Sequence, residues 1–117
     1  MIVTSEKVQK DLRILRDGLR GLKMRVTADE LSLVLFDEIF VSLTEYLIEL
    51  WGKMRGHTVK SVRRNYLPEG RKRKVKLARI EDLGLEVLID VTWTGRYFKV
   101  LDVEFINPDT DEMVEVG

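Results

Sequence analysis

Cysteine is absent from the 117 residues, which excludes disulfides, thiolate metal sites and cysteine nucleophiles together. His57 is the only histidine, so no histidine pair is available to hold a metal or relay a proton. Beside Gly56, and ahead of an expected short helix, it reads as a loop or capping residue. Amides are scarce too: Gln9 is the only glutamine, and Asn65 and Asn107 are the only asparagines. Low Asn, Gln and Cys beside abundant Lys, Arg and Glu is the composition of hyperthermophile proteins, and a thermophilic source is expected. No basic n-region precedes an uninterrupted apolar run, so neither a signal peptide nor a membrane span is expected, and the location expected is cytoplasmic. There is no P-loop, no G-x-G-x-x-G and no G-x-S-x-G. The sequence therefore assigns no catalytic residue, no metal ligand and no cofactor.

What is present is charge, unevenly placed. Lysine plus arginine and aspartate plus glutamate number twenty each, for a net charge of zero. Residues 1–50 carry seven basic and nine acidic side chains, residues 51–80 eleven against one, and residues 81–117 two against ten. The segments thus stand at −2, +10 and −8. Such asymmetry points to an anionic partner for the middle segment or to pairing between segments.

One long stretch organises the rest. Residues 27–54 read as a central helix opened by the Thr27-x-x-Glu30 capping box. Its apolar side chains cover most of the circumference, leaving Glu38, Ser42, Glu45, Glu49 and Lys53 as a narrow wet stripe. Before it, Thr4 or Ser5 caps a first helix, firm to about Asp17. There Val8, Leu12, Leu15, Leu19, Leu22 and Val26 recur at heptad-like spacing, with Gly18 and Gly21 weakening the last turn. Lys7, Lys10, Arg13, Arg16, Arg20 and Lys23 read as its solvated side. After Gly52 and Gly56, the run 58–67 places Val59, Val62 and Tyr66 on one helical face with Lys60, Arg63 and Arg64 elsewhere, a short basic helix. Beyond the Pro68–Gly70 turn the pattern alternates with period two: 74–81, 85–93, 96–106 and 113–116 are expected strands. In the third of these the apolar phase slips, which predicts a β-bulge near Val100–Leu101.

The expected fold is a single α+β domain. A helical half over about 4–67, the long apolar helix plus shorter ones, continues through a basic connector at about 68–74. It packs on an antiparallel meander of three to four strands at about 74–116. A helix apolar on most sides and about 42 Å long outruns a globule of this size, so a homodimer built on it is expected. Ile39, Tyr46, Ile48 and Trp51 are the candidates for the subunit contact.

The function expected is contact with the phosphate backbone of a nucleic acid, DNA or RNA, through Lys60, Arg63, Arg64, Arg71, Lys72, Arg73, Lys74 and Lys76. Tyr66 is positioned to stack on a base or, more simply, to pack with Val59 and Val62. Two other readings stand beside it. The basic face fits an acidic protein partner, making the chain an assembly module. Alternatively, a two-residue Thr94-Gly95 hairpin would put Asp90 opposite Lys99 and, past a bulge, Glu86 opposite Glu104 near Asp102. Facing carboxylates need a cation, either a divalent metal as in metal-dependent nucleases or the chain's own Arg71–Lys76 segment. The internal cation requires fewer assumptions.

Overall fold

The computed structural model describes residues 5–26, 30–65 and 72–117. The first helix, α1, spans Glu6–Leu19. Ser5 caps it, its hydroxyl accepting from the Val8 amide at 3.2 Å. Leu12, Leu15 and Leu19 are buried along one side, as the heptad spacing predicts. The helix then stops. Gly21, at φ +84°, turns the chain out, and its amide donates to the Val100 carbonyl while Val100 N donates to Leu22 O. The chain is thereby taken up at a sheet edge as β1, Lys23–Arg25. Leu22, Met24 and Val26 face inward with period two, so the last part of the expected helical seam is a strand.

The central helix, α2, runs Glu30–Arg55, and its proposed capping box lies outside the described residues. It ends in a Schellman motif: Gly56 adopts φ +78° and His57 N donates to Gly52 O at 2.8 Å. Gly52 itself is needed for space rather than for stopping the helix. A Cβ there would lie 2.6 Å from Val59 Cγ2 and 2.9 Å from His57 O.

The basic run expected as a short helix is instead β2, Val59–Asn65. Its β-branched Val59 and Val62 suit a pleated strand, and pairing with β3 (Lys72–Ile80) satisfies a backbone that a two-turn helix would leave largely unbonded. Then come β4 (Leu85–Trp93), β5 (Tyr97–Asn107) and the two-residue β6 (Glu112–Met113). All pairings are antiparallel, in the order β1-β5-β4-β3-β2, with β6 on the far end of β5. The expected helical half packed on a three- to four-stranded meander is thus corrected. Two helices and six strands are found among the described residues, the sheet dominates, and it curls into a half-barrel around the helices.

Register decides which side chains share a face. The β4–β5 connection is longer than two residues, so Trp93 pairs with Phe98, not Arg96. Val91 faces Val100 while Asp90 faces Asp102, leaving Leu101 as the extra residue of a bulge where the apolar phase slips. Glu86 therefore faces Ile106, Leu88 faces Glu104, and Lys99 lies opposite Thr92 rather than Asp90. A second bulge sits at Leu77 of β3.

The core lies between the helices and the inner face of the sheet, where Leu12, Leu19, Phe40, Ile48, Leu77, Ile89 and Phe105 are fully buried. Phe40 stacks on Phe98 at 5.9 Å. Ile48 and Trp51 belong to this core and not to a subunit contact, whereas Ile39 and Tyr46 are exposed. The helix is also less fully wrapped than its composition implies, since Leu35, Leu43, Leu50 and Met54 are exposed as well. The basic side of α1 is in use: Arg16 donates to Val116 O and Gln9 to Glu115 O, strapping the C-terminal segment onto the helix.

Gly52→Ala separates helix propensity from packing. Propensity alone would stabilise by about 1 kcal/mol. Because the added methyl meets a backbone carbonyl and a β-branched side chain, net destabilisation of about 1–3 kcal/mol is expected in denaturant titration.

Candidate nucleic-acid interface

Of the eight cations expected to meet phosphate, the five whose side chains are described, Lys60, Arg63, Arg73, Lys74 and Lys76, do not form one surface. On the helix side of the sheet, Arg73 makes a bidentate pair with Asp37 of α2, with Nη1 to Oδ2 at 2.6 Å. Arg63 lies 3.0 Å from Glu38 and 3.2 Å from Glu45, close but not aligned as hydrogen bonds. On the outer face, Lys76 pairs with Glu86 at 2.9 Å and Lys74 with Glu104 at 3.2 Å. Lys60 is exposed on the edge strand. Arg71 and Tyr66, like the side chains of Arg64 and Lys72, lie outside the described residues. Much of the +10 segment is therefore neutralised by acids of α2 and of the −8 segment.

The carboxylates singled out in the sequence meet differently from expectation. Asp90, Asp102 and Glu104 bring one oxygen each within 4.8 Å of one another, and Glu86 stands apart with Lys76. Asp90 and Asp102 are direct cross-strand neighbours, an unfavourable pairing unless a cation joins them. The Lys74 ammonium is that cation, 3.9 Å from Asp90. Burial works to lower its pKa, but Glu104, Asp90 and Asp102 outweigh this and hold it above the ordinary lysine value. Asp102 is further tied to Arg20 at 2.8 Å. Burial pushes its pKa up, and the bonds from Arg20 and the Val103 amide bring it below the usual carboxylate range.

At the other end of the same outer face the cations are unbalanced. Lys23 of β1 lies directly opposite Lys99 of β5, which lies opposite Thr92 of β4, which lies opposite Lys72 of β3. This single cross-strand row spans three inter-strand steps, about 14 Å. One register step beyond, Arg25 faces Tyr97, and Arg96 follows in the hairpin loop. Lys23, Arg25, Arg96 and Tyr97 line a recess of about 380 Å³, with the Lys23 ammonium 5.2 Å from the centre of the Tyr97 ring. Among the described residues no carboxylate pairs with Lys23, Arg25, Arg96 or Lys99. Sequence reasoning missed this corner because its residues sit in two short, ordinary-looking stretches, 23–25 and 96–99. Only the β1–β5 pairing joins them.

His57 is not a loop residue facing water. Its side chain is 4% exposed and stacks on Trp51 at 4.8 Å. Nε2 lies 2.7 Å from Asp11 and Nδ1 2.7 Å from Asp82. Asp11 is fully buried and also accepts from Lys7 at 2.9 Å and Arg55 at 2.7 Å, while Trp51 Nε1 donates to its carbonyl. Among the described residues no hydroxyl hydrogen-bonds to this ring. The cluster binds α1, the end of α2 and the β3–β4 turn to one another.

Burial pushes the Asp11 carboxyl up, but the bonds from Lys7, His57 and Arg55 more than reverse this and hold it far below the usual range. Asp82 is lowered in the same way by His57 and the Thr58 amide. A depressed folded-state pKa gives stability that is fully present above the unfolded value, about 4, and is lost as pH falls toward the folded one. Thermal melts from pH 7 downward should therefore hold steady to about pH 5 and then drop. Asp11→Asn should lower stability at pH 7 by about 3–5 kcal/mol, by stranding the facing cations, and should flatten the acid limb.

Compared with known protein families, curated proteins and solved structures, the chain matches none.

Proposed function

We propose that the chain binds nucleic acid through its phosphate backbone, and that the contact is centred on Lys23, Arg25, Arg96 and Lys99, with Tyr97 between them and Lys72 extending the row. The observation that supports this reading most is the Lys23–Lys99 pairing. Like charges directly opposite one another on a sheet are destabilising, and among the described residues no carboxylate relieves them. A phosphate group relieves that repulsion and gives four flexible donors a common acceptor. Cations on the outer face of the curled sheet reach a backbone without reading base edges, so affinity is expected to exceed sequence preference. Tyr97 supplies an aromatic surface for a base next to those phosphates. Compared with the Lys60–Lys76 segment as a whole, this corner costs less to engage, because binding there breaks no internal ion pair.

Fluorescence anisotropy with labelled single-stranded and duplex oligonucleotides, at several salt concentrations, tests the reading. Binding should weaken steeply with salt, with a log–log slope of roughly −0.7 to −0.9 per phosphate contacted. The combined variant Lys23→Gln, Arg25→Gln, Arg96→Gln, Lys99→Gln should lose at least tenfold in affinity and show a shallower slope. Arg73→Gln, which removes the Asp37 pair, should lower thermal stability and leave the slope unchanged. Absence of oligonucleotide binding by the native chain at low salt, or undiminished binding by the four-site variant, overturns the proposal.

A further inference from the structure

The outward side of α2 carries Leu35, Ile39, Leu43, Tyr46, Leu50 and Met54, all exposed, from 39% at Leu43 to 74% at Met54. Their separations are 4, 4, 3, 4 and 4, so they form one straight apolar stripe along a helix face. The stripe is continued toward α1 by a groove of about 180 Å³ whose lining includes Ile14, Gly18, Leu47, Leu50 and Met54. A contiguous apolar face of this length, on the order of several hundred Å², exceeds the scattered exposure ordinary for a monomer surface.

The spacing identifies what covers it. The series 4, 4, 3, 4, 4 reads the same in both directions, and its centre falls between Leu43 and Tyr46. A two-fold axis crossing the helix there superimposes the stripe on itself reversed. Leu35 then meets Met54 of a second copy, Ile39 meets Leu50, and Leu43 meets Tyr46. That is the self-complementarity an isologous contact requires. We propose that the chain forms a two-fold homodimer in which the two α2 helices pack antiparallel through this stripe.

Flanking charge fixes the direction. Glu38, Ser42, Glu49 and Lys53 border the stripe on the side away from α1. In a two-fold antiparallel pair this border faces itself reversed, so Glu38 comes within two residues, about 3 Å of rise, of Lys53. Glu49 falls beside Ser42. A parallel two-fold pair would instead set this border against the partner's opposite border and leave Lys53 about 22 Å of rise from Glu38. Lys53 has no carboxylate partner among the described residues, and Glu38, which lies near Arg63, keeps its side chain 55% exposed. On the other border, positions 35 and 36 of the second copy come to lie over the groove beside Met54, extending the buried area toward the ~800 Å² per partner of a standard interface.

Sedimentation equilibrium at micromolar concentration should give twice the 13.7 kDa chain mass, and Leu43→Glu with Tyr46→Glu should return it to one chain. Both residues are exposed, so the circular dichroism spectrum of the variant should match that of the native chain. Direction is read by single cysteines in this cysteine-free chain with a short bis-maleimide. Leu35→Cys alone should not cross-link, because the two copies of position 35 lie about 28 Å apart. An equimolar mixture of Leu35→Cys and Met54→Cys should cross-link. A native mass of one chain that does not rise with concentration overturns the dimer and leaves the stripe to another occupant. Cross-linking of Leu35→Cys to itself overturns the antiparallel arrangement. Neither result depends on whether the chain binds nucleic acid.

Discussion

A carboxylate buried at Asp11 sets the terms for the helical layer. An isolated charge there would be untenable, and it persists because three nitrogen-bearing groups converge on it: Lys7, Arg55 and His57. Each arrives by a different structural device. Lys7 comes by the i, i+4 spacing of α1, Arg55 from the last turn of α2, and His57 through the Schellman turn that follows it. The Trp51 indole then donates to the Asp11 carbonyl and shields the imidazole with its ring. These bonds hold α1 against the C-terminal end of α2, and Asp82 carries the tie into the β3–β4 turn. A shift of α1 by one turn would part Asp11 from Arg55, His57 and Trp51, so the crossing of the two helices is specified by polar geometry where apolar packing alone would tolerate sliding.

The same logic runs through the sheet. Its helix-facing side holds Arg63 and Arg73 against acids of α2, and its outer side holds Lys74 and Lys76 against acids of β4 and β5. The pronounced segregation of charge along the chain is thus largely an assembly code: residues 51–80 are basic because their neighbours in the sheet and helix are acidic. Net charge per segment is an unreliable guide to a binding surface for this reason. A cation available to a ligand is one left over after folding, and such cations remain at the β1–β5 corner, which no basic run in the sequence marks.

What the sequence reveals follows what each element depends on. α1 is legible because Ser5, the heptad spacing and Gly21 are local signals, and β4, β5 and the bulge at Leu101 are legible because period-two alternation is local too. β2 was misassigned because seven residues satisfy either periodicity, and the choice is made by β3 lying alongside. β1 is too short to carry a period of its own and exists only because the edge of β5 accepts it. His57 is legible as the residue that closes α2, but the partners of its side chain are not, because the two carboxylates lie 46 and 25 residues away in the chain. The candidate binding corner is illegible for the same reason as β1, since its halves are joined by register alone.

The apolar stripe and the basic corner lie on opposite sides of the protein. Arg63, Arg73 and the core occupy the layer between α2 and the inner sheet face, the stripe lies on the side of α2 turned from the sheet, and the Lys99–Lys23 pair lies on the side of the sheet turned from α2. An antiparallel helix pair therefore leaves both rows of cations open, facing away from one another across the dimer. A single short duplex cannot touch both at once. A long or flexible strand, or two separate strands, can. In the proposed dimer, if the proposed contact binds nucleic acid, bivalence would act through effective concentration, raising avidity on long strands without any new contact. Under both proposals, strand length rather than sequence would be the variable to which the dimer responds.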